Sequence, residues 1–149
     1  MLKTLMNFLF LIIIFLSGCG NDPEPIQYGT DQCVHCRMTI MDNKFGAEIV
    51  TNKGKALKFD AAECMINYIL ENNFDENSAS IFYVTDYNYP AKLINALSAA
   101  YIISSKIKSP MGENLTAFSG EKAAQKFLEG SGGEMYTWKT LTDKFRTGK

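Results

Sequence analysis

Two repeating patterns of apolar residues divide much of the chain into short strands and helices. The apolar runs Phe45–Val50 and Lys55–Phe59 flank Thr51-Asn52-Lys53-Gly54, a turn sequence in which Asn and Gly tolerate a positive φ. This pattern predicts a β-hairpin. Ala61–Leu70 then has apolar residues at helical spacing, and Ile81–Thr85 is rich in β-branched and aromatic residues, which favour a strand. The predicted order is ββαβ.

The same order recurs in the second half of the chain. The predicted elements there are two strands, a helix closed by Gly130 and a last strand: Ala100–Ser104, Leu115–Phe118, Glu121–Leu128 and Met135–Trp138. Between the two units, Ala91–Leu97 is predicted to form a connecting turn or a short helix. A polar residue precedes each main helix, so Asp60 and Ser119 are predicted to cap them, with Glu63 completing a capping box in the first.

An offset of 59 residues aligns the two halves and indicates an internal duplication. It superposes these pairs: Phe59 and Phe118, Cys64 and Ala123, Tyr68 and Phe127, Ile69 and Leu128. The predicted fold is therefore α+β, with two tandem ββαβ units packed together and short helices on antiparallel or mixed sheets. The domain covers residues 32–149, and its halves are about 32–90 and 91–149.

The N-terminus has the pattern of an export signal. Lys3 precedes the largely apolar Leu5–Leu16, which is shorter than the roughly 20 residues that a membrane-spanning helix needs. Leu16-Ser17-Gly18-Cys19 resembles a bacterial lipobox, in which the cysteine is lipidated. We therefore expect a signal peptide over residues 1–18, lipid on Cys19, and a flexible tether over residues 19–31, because Gly20–Asp31 is rich in Pro, Gly and acids.

Charge and cysteine content narrow the classes of function. The formal net charge of -1 and the pI near 5.8 provide no basic field for nucleic acid. Once Cys19 is lipidated, three thiols remain, on Cys33, Cys36 and Cys64. An odd number in an oxidising compartment argues against a disulfide framework and leaves a reactive or metal-binding thiol.

The candidate chemistry is concentrated in Cys33-Val34-His35-Cys36-Arg37-Met38. Two thiols and a thioether form a set of soft donors, which favours Cu(I) over harder divalent ions. A thiol–disulfide redox pair and a zinc site made from Cys33, His35, Cys36 and Cys64 remain alternatives. Against the redox pair, a thioredoxin-like motif follows a strand and opens a helix, whereas this motif follows the predicted tether. Against the zinc site, structural zinc needs four well-placed ligands.

Other candidate ligands are weaker. Met111 is predicted on the turn Ser109-Pro110-Met111-Gly112, a position that presents its sulfur. Met41 and His35 are possible ligands, and Cys64, on the apolar face of its helix, is expected to be an inert core thiol with metal binding only a possibility. With a single His, no phosphate loop and no paired carboxylates, the sequence predicts no catalytic site.

The order of the motifs resembles the NosL family of copper accessory lipoproteins of nitrous oxide reductase. The lipobox and the CxxCxM motif are followed by these matching segments: Phe45-Gly46-Ala47-Glu48, Lys53-Gly54-Lys55, Phe59-Asp60, Cys64-Met65, Ser109-Pro110-Met111-Gly112, Ala117-Phe118 and Gly132-Gly133 before Trp138. Nearly all of the mature chain is covered. The family pattern usually has Gly where this chain has Arg37.

The resemblance implies a Cu(I) chaperone that supplies the copper sites of nitrous oxide reductase together with the NosD, NosF and NosY transporter complex. It also implies a tandem ββαβ fold similar to a domain of organomercurial lyase. By position, Cys33, Cys36, Met38 and Met111 match the family's candidate ligands. We therefore expect a non-enzymatic lipoprotein of the bacterial envelope, anchored to a membrane and facing the periplasm. The alternatives are an extracytoplasmic thiol enzyme using Cys33 and Cys36, for disulfide exchange or organomercurial cleavage, and a lipoprotein with structural zinc.

Overall fold

A computed structural model of the protein describes residues 22–74 and 79–148. The predicted signal peptide, the lipobox and Cys19 lie outside the described residues. Within the described part of the chain, no helix combines the length and apolarity needed to cross a membrane.

The first unit is a four-stranded antiparallel sheet with one helix. Its elements are β1 Ala47–Thr51, β2 Ala56–Phe59, α1 Ala62–Glu71, β3 Ala79–Thr85 and β4 Leu93–Asn95. The strand order is β2-β1-β3-β4, so the predicted hairpin forms one edge of the sheet. Gly54, at φ 74, supplies the positive φ of the hairpin turn.

The second unit repeats this arrangement with three strands. Its elements are β5 Ala100–Ile103, β6 Leu115–Phe118, α2 Glu121–Ser131 and β7 Glu134–Tyr136. The order β6-β5-β7 again places the first strand of the unit between the other two, and all pairings are antiparallel. The predicted α+β fold with two ββαβ units is confirmed, and both sheets are antiparallel.

The duplication is visible in the packing as well as in the element order. The offset of 59 residues carries β2 onto β6, and it carries the first residue of α1 onto the first residue of α2. The Phe59 and Tyr68 rings have centroids 5.3 Å apart, and the corresponding Phe118 and Phe127 rings are also 5.3 Å apart. Each unit therefore uses the same aromatic contact to hold its helix to its sheet.

A shared apolar core joins the two units. A parallel bridge between Asp86 and Ala117 links the two sheets, and the Tyr87 amide donates to the Ala117 carbonyl at 2.9 Å. The Trp138 ring lies 5.8 Å from the Phe82 ring of the first unit and 6.0 Å from the Tyr101 ring of the second. Neither sheet could bury its inner face alone, so the units stabilise one another.

The sequence predicts Trp138 as the last residue of the final strand, and this prediction is wrong. Trp138 begins a third helix, α3 Trp138–Thr147, which the apolar pattern did not predict. Thr137 caps this helix in a capping box with Thr140. The strand is correspondingly shorter, because the Thr137 cap turns the backbone into a helix.

The predicted caps of the two main helices are wrong. The N-cap residues are Ala61 and Gly120, and neither makes a side-chain cap hydrogen bond. Asp60 is buried, and its carboxylate faces the Met41 amide and the Cys33 thiol instead of α1. The connecting segment 91–97 forms β4 and the start of a short 3₁₀ turn, Ala96–Ser98.

The second part of the predicted tether is packed in the structure instead of forming a flexible linker. Ile26 is buried in the core, and the Glu24 amide donates to the Glu48 carboxylate at 2.8 Å. Gly29 donates to the Ile40 carbonyl at 2.8 Å. From Glu24 onward, residues that the sequence assigned to a tether are therefore packed against the first sheet.

One close backbone approach predicts a large effect of mutation. Gly133 has φ +119, and a Cβ there would lie 2.4 Å from the carbonyl oxygen of Ile103. We expect Gly133→Ala to lower the free energy of unfolding by about 2–4 kcal/mol, because backbone on both sides must shift. The measurement is urea denaturation followed by circular dichroism.

Gly130 provides the matched control. It lies within α2, and a Cβ there would meet open space. Gly130→Ala should therefore stabilise the protein by about 0.5–1 kcal/mol. Equal effects of the two substitutions would contradict this account of Gly133.

Candidate metal centre

The Cys33–Met38 segment forms a closed loop rather than an extended tail. The Cys33 amide donates to the Met38 carbonyl at 2.8 Å, and the Arg37 amide donates to the Cys33 carbonyl at 3.0 Å. A bridge between Gln32 and Thr39 continues the pairing below the loop. Arg37 has φ 65, the left-handed conformation that glycine adopts most easily. This conformation gives a physical reason for the glycine of the family pattern.

Lys58 of β2 attaches the loop to the first unit. Its carbonyl accepts from the Val34 amide at 2.9 Å, and its ammonium group binds the Asp31 carboxylate at 2.9 Å and the Pro25 carbonyl at 3.0 Å. Burial alone would lower the pKa of Lys58, but the hydrogen bond that Lys58 donates to Asp31 and the nearby carboxylate charges together raise it. Lys58 thus holds the loop through its backbone carbonyl and holds the residues before the loop through its side chain.

The loop brings two thiols to a third one on α1. The Sγ atoms of Cys33, Cys36 and Cys64 all lie within 4.8 Å of one another. Cys64 is in the first turn of α1 and is fully buried, as is Cys33, whereas Cys36 is partly exposed. Among the described residues, this is the one group of three or more His, Cys, Asp or Glu side chains close enough to hold one metal ion.

The three thiols do not ionise equally. A hydrogen bond from the Cys64 thiol is the main reason that the pKa of Cys33 is lowered to about 5; burial opposes it, and the backbone amides of Asp60 and Cys36 reinforce it. The pKa of Cys64 is raised, because its proton is held by Cys33 and because it is buried. Burial also raises the pKa of Cys36. One sulfur is therefore ready as a thiolate, while a second negative charge requires a bound cation.

Buried acids surround the start of α1. Burial and then the nearby Cys33 raise the pKa of Asp60, and burial raises the pKa of Glu63 to about 7. The Ser109 hydroxyl lies beside the Glu63 carboxylate and opposes this rise in pKa. A turn of the second unit therefore reaches the residue next to Cys64.

Comparisons with known proteins place this architecture in a family. The NosL family profile matches residues 26–145. The chain belongs to the NosL family. A crystal structure of the copper chaperone NosL from Shewanella denitrificans is similar, with a TM-score of 0.67, 26% sequence identity, and coverage of 79% of this chain and 93% of that one. Comparison with curated protein sequences gave no significant match.

The methionines predicted as ligands lie at the surface of this NosL-family protein. Met38 is 53% exposed, Met41 69% and Met111 36%. Met111 is on the predicted turn, where the Gly112 amide donates to the Ser109 carbonyl at 3.1 Å. Because Ser109 lies beside Glu63, this turn approaches the end of α1 that carries Cys64. The assignment of Met38 and Met111 as ligands stays a prediction.

The structure does not bring His35 into the thiol group. Its Nδ1 lies 3.5 Å from the Glu71 carboxylate, at the last residue of α1. Cys64 is in the first turn of the same helix, about 10 Å away along the axis at 1.5 Å per residue. His35 is therefore turned toward the opposite end of the helix.

Cys64 was the residue that the sequence interpretation undervalued. It was expected to be an inert core thiol, and it is buried, but its sulfur lies beside two others. The duplication contained the relevant signal, since Cys64 stands where the second unit has Ala123. A thiol in one copy only is better explained by a site in that copy than by packing common to both.

The unequal ionisation predicts a pH-dependent signal in the reduced, metal-free protein. Thiolate absorbance in the ultraviolet should show a midpoint near pH 5, well below the ordinary 9.0 of a cysteine. Because the folded-state pKa is lowered, the associated stabilisation is present above the unfolded-state pKa and is lost as the pH falls through about 5.

Two substitutions test the cause. Cys64→Ala should raise the midpoint, because the strongest hydrogen bond to Cys33 is lost. Cys36→Ala should shift it less, since it removes only the small contribution of the Cys36 thiol and leaves the backbone amide in place. A larger shift for Cys36→Ala, or a wild-type midpoint near 9, would contradict this explanation.

Proposed function

We propose that this NosL-family protein binds Cu(I) at Cys33, Cys36 and Cys64 and carries it to a partner as a metallochaperone. The observation that carries the proposal is the approach of three thiol sulfurs to within 4.8 Å. The structural similarity to a protein named as a copper chaperone supports it. Copper is then cargo, and the thiols are its temporary ligands.

The chemistry of the donors fits a soft monovalent ion. Thiolates select Cu(I), zinc and iron–sulfur clusters, and structural zinc is held by four closed ligands. Among the described residues, three thiols are grouped and the one histidine is engaged elsewhere. Three sulfur donors therefore suit Cu(I) better than a closed zinc site.

The solvent exposure of the sulfur-containing side chains suits transfer of copper rather than its storage. Cys36 is the thiol that reaches the surface, and Met38 follows two residues later with half of its side chain exposed. In the proposed mechanism, a ligand of the partner enters at this side and the donors leave one at a time. Met38 and Met111 would supply weaker thioether donors during exchange.

The same exposures argue against a thiol-exchange enzyme. Attack on a disulfide needs an accessible thiolate. The thiol with the lowered pKa is Cys33, which is fully buried, and the accessible Cys36 has a raised pKa. This is the reverse of what a disulfide exchanger requires.

The recipient and the location are the finer parts of the proposal. We infer delivery for the copper centres of nitrous oxide reductase, in cooperation with the NosD, NosF and NosY transporter complex. We also infer that lipid on Cys19 anchors the protein to a membrane of the bacterial envelope, facing the periplasm. Membership of the NosL family supports both, together with the export and lipobox patterns of the sequence.

Cu(I) affinity is the direct test of the three-thiol site. Reduced protein titrated with Cu(I) against a competing chelator should bind one equivalent, and Cys33→Ser should weaken binding by about a hundredfold or more, because a central thiolate is lost. Cys64→Ala should weaken it by at least about tenfold. Retention of wild-type affinity by Cys64→Ala would overturn the assignment of Cys64.

The contribution of the methionines is tested in the same titration. Met38→Ile and Met111→Ile should weaken binding only slightly if thioethers act during exchange, and they should slow removal of copper by the chelator. Met135→Ile is the matched control, because Met135 is 40% exposed on β7 of the second unit. A loss of affinity equal to that of Cys33→Ser would make a methionine a principal ligand instead.

Delivery is tested in cells that make nitrous oxide reductase. Deleting this chain should lower the copper content and activity of the reductase, and the wild-type gene should restore both. The Cys33→Ser gene should fail to do so while its protein accumulates normally. Full copper loading without any form of the chain would refute the recipient but leave Cu(I) binding intact.

A further inference from the structure

The second unit has an open groove at the position that corresponds, through the duplication, to the thiol group of the first unit. Ala123 corresponds to Cys64 and Phe127 corresponds to Tyr68 in the duplication. Both residues line this groove, together with Asn88, Tyr89 and Lys126. Its volume is about 460 Å³. The loop that contains Asn88 and Tyr89 therefore borders α2 without filling the space beside it.

The groove has an aromatic wall. Phe127, which lines the groove, is held by the core, because the Tyr87 ring packs edge-on against it at 5.6 Å and against Phe118 at 5.8 Å. Tyr89 is 59% exposed. A large aromatic side chain left this open offers apolar area and a polar hydroxyl to a partner.

Two lysines belong to this part of the surface. Lys126 lines the groove, and Lys92 Nζ lies 5.1 Å from the centre of the Tyr89 ring. No ion pair between residues that the structure describes includes either of them. The groove therefore combines aromatic surface with two lysines that have no ion-pair partner among the described residues.

The acids in the adjoining loops do not neutralise these lysines through direct contact. Asp42 accepts from the Lys44 amide at 2.9 Å, and the buried Asp86 accepts from the Asn88 amide at 3.0 Å. Neither carboxylate forms an ion pair with Lys92 or Lys126. A partner can therefore supply the complementary charge.

We propose that this groove, defined by Asn88, Tyr89, Ala123, Lys126 and Phe127, docks an acidic segment of a partner protein that carries an aromatic or aliphatic side chain. The apolar side chain enters between Tyr89 and Phe127, and its neighbouring carboxylates bind the ammonium groups of Lys92 and Lys126. Complementary charge of this kind raises the rate of association and fixes orientation.

The groove is connected to the thiol loop by a hydrogen bond between neighbouring segments. The Ala91 amide, in the loop that borders the groove, donates to the Asn43 carbonyl, two residues after Met41, at 2.6 Å. The Met41 amide binds the Asp60 carboxylate, which in turn is close to Cys33. The segment that borders the groove is therefore bonded to the segment that follows the thiol loop. The docking itself does not require copper, although its use in delivery rests on the proposed function.

The test uses the reduced, metal-free protein and a defined probe. A synthetic acidic peptide with glutamates around a central phenylalanine is titrated into isotope-labelled protein, and amide chemical shifts are followed by NMR. The largest shifts should fall on residues 87–92 and 123–127, and binding should weaken as salt is added. A counterpart with lysine in place of glutamate should not bind.

Variants assign the binding to the groove. The double variant K92E/K126E should weaken peptide binding by about tenfold. The control is K53E, an exposed lysine in the β1–β2 turn, which should change binding less than about twofold. Tyr89→Ser should also weaken binding, and none of these variants should alter Cu(I) affinity in the chelator titration.

Three outcomes would overturn the proposal. One is a peptide that binds elsewhere on the surface, and another is binding that K92E/K126E leaves unchanged. The third is no peptide binding together with lysine-dependent binding to phosphatidylglycerol vesicles, which would assign the patch to a membrane. Loss of Cu(I) binding by Cys33→Ser with normal peptide docking would leave this inference standing, so the two proposals fail separately.

Discussion

The attachment of a short loop to the edge strand β2 decides whether this protein has a site at all. Two of the three thiols belong to a segment with no helix or strand of its own. The backbone hydrogen bond from Val34 to Lys58 holds this segment against the sheet. The Lys58 ammonium group holds the preceding residues through Asp31 and Pro25. Without this attachment, Cys33 and Cys36 would be solvent-exposed residues, and Cys64 would be an ordinary buried thiol.

The duplication explains how a site was accommodated in so small a fold. The two ββαβ units share their sheet order and their aromatic contact, and together they form one core. Because either unit could supply the same scaffold, they are free to differ at equivalent places. One carries Cys64 and is covered by the thiol loop, and the other carries Ala123 and is left open.

The sequence was sufficient for the elements that have a strong local period, and weaker where distant contacts decide. The boundaries of β2, α1 and β6 followed from apolar spacing to within one residue, whereas α2 runs through Gly130 to Ser131, past its predicted end at Leu128. The helix that starts at Trp138 was missed, because Trp138 and Tyr136 fit a strand pattern and the Thr137–Thr140 cap is a weak signal. The caps at Asp60 and Ser119 failed for a similar reason, since tertiary contacts draw Asp60 toward Cys33 and Met41.

Prediction of the thiol site was also limited by contacts between residues that are distant in sequence. Cys33 and Cys36 were evident from their spacing, but the meeting of Cys64 with them depends on the Lys58 attachment, which no local pattern encodes. The packed residues 24–31 were mistaken for a tether because they are rich in Pro, Gly and acids. Their burial comes from a few specific contacts, such as that of Ile26 with the core.

The partial exposure of Cys36 has a kinetic consequence for any metal held by the three thiols. Cys33 and Cys64 are sealed from solvent, so an incoming ligand meets the Cys36 sulfur first. Exchange would then proceed from the outside inward, and the two buried sulfurs would retain the ion until a replacement is already bonded. Such an ordered release would keep the ion from escaping into water, and the accessibility of one sulfur atom would then set the rate of the whole transfer.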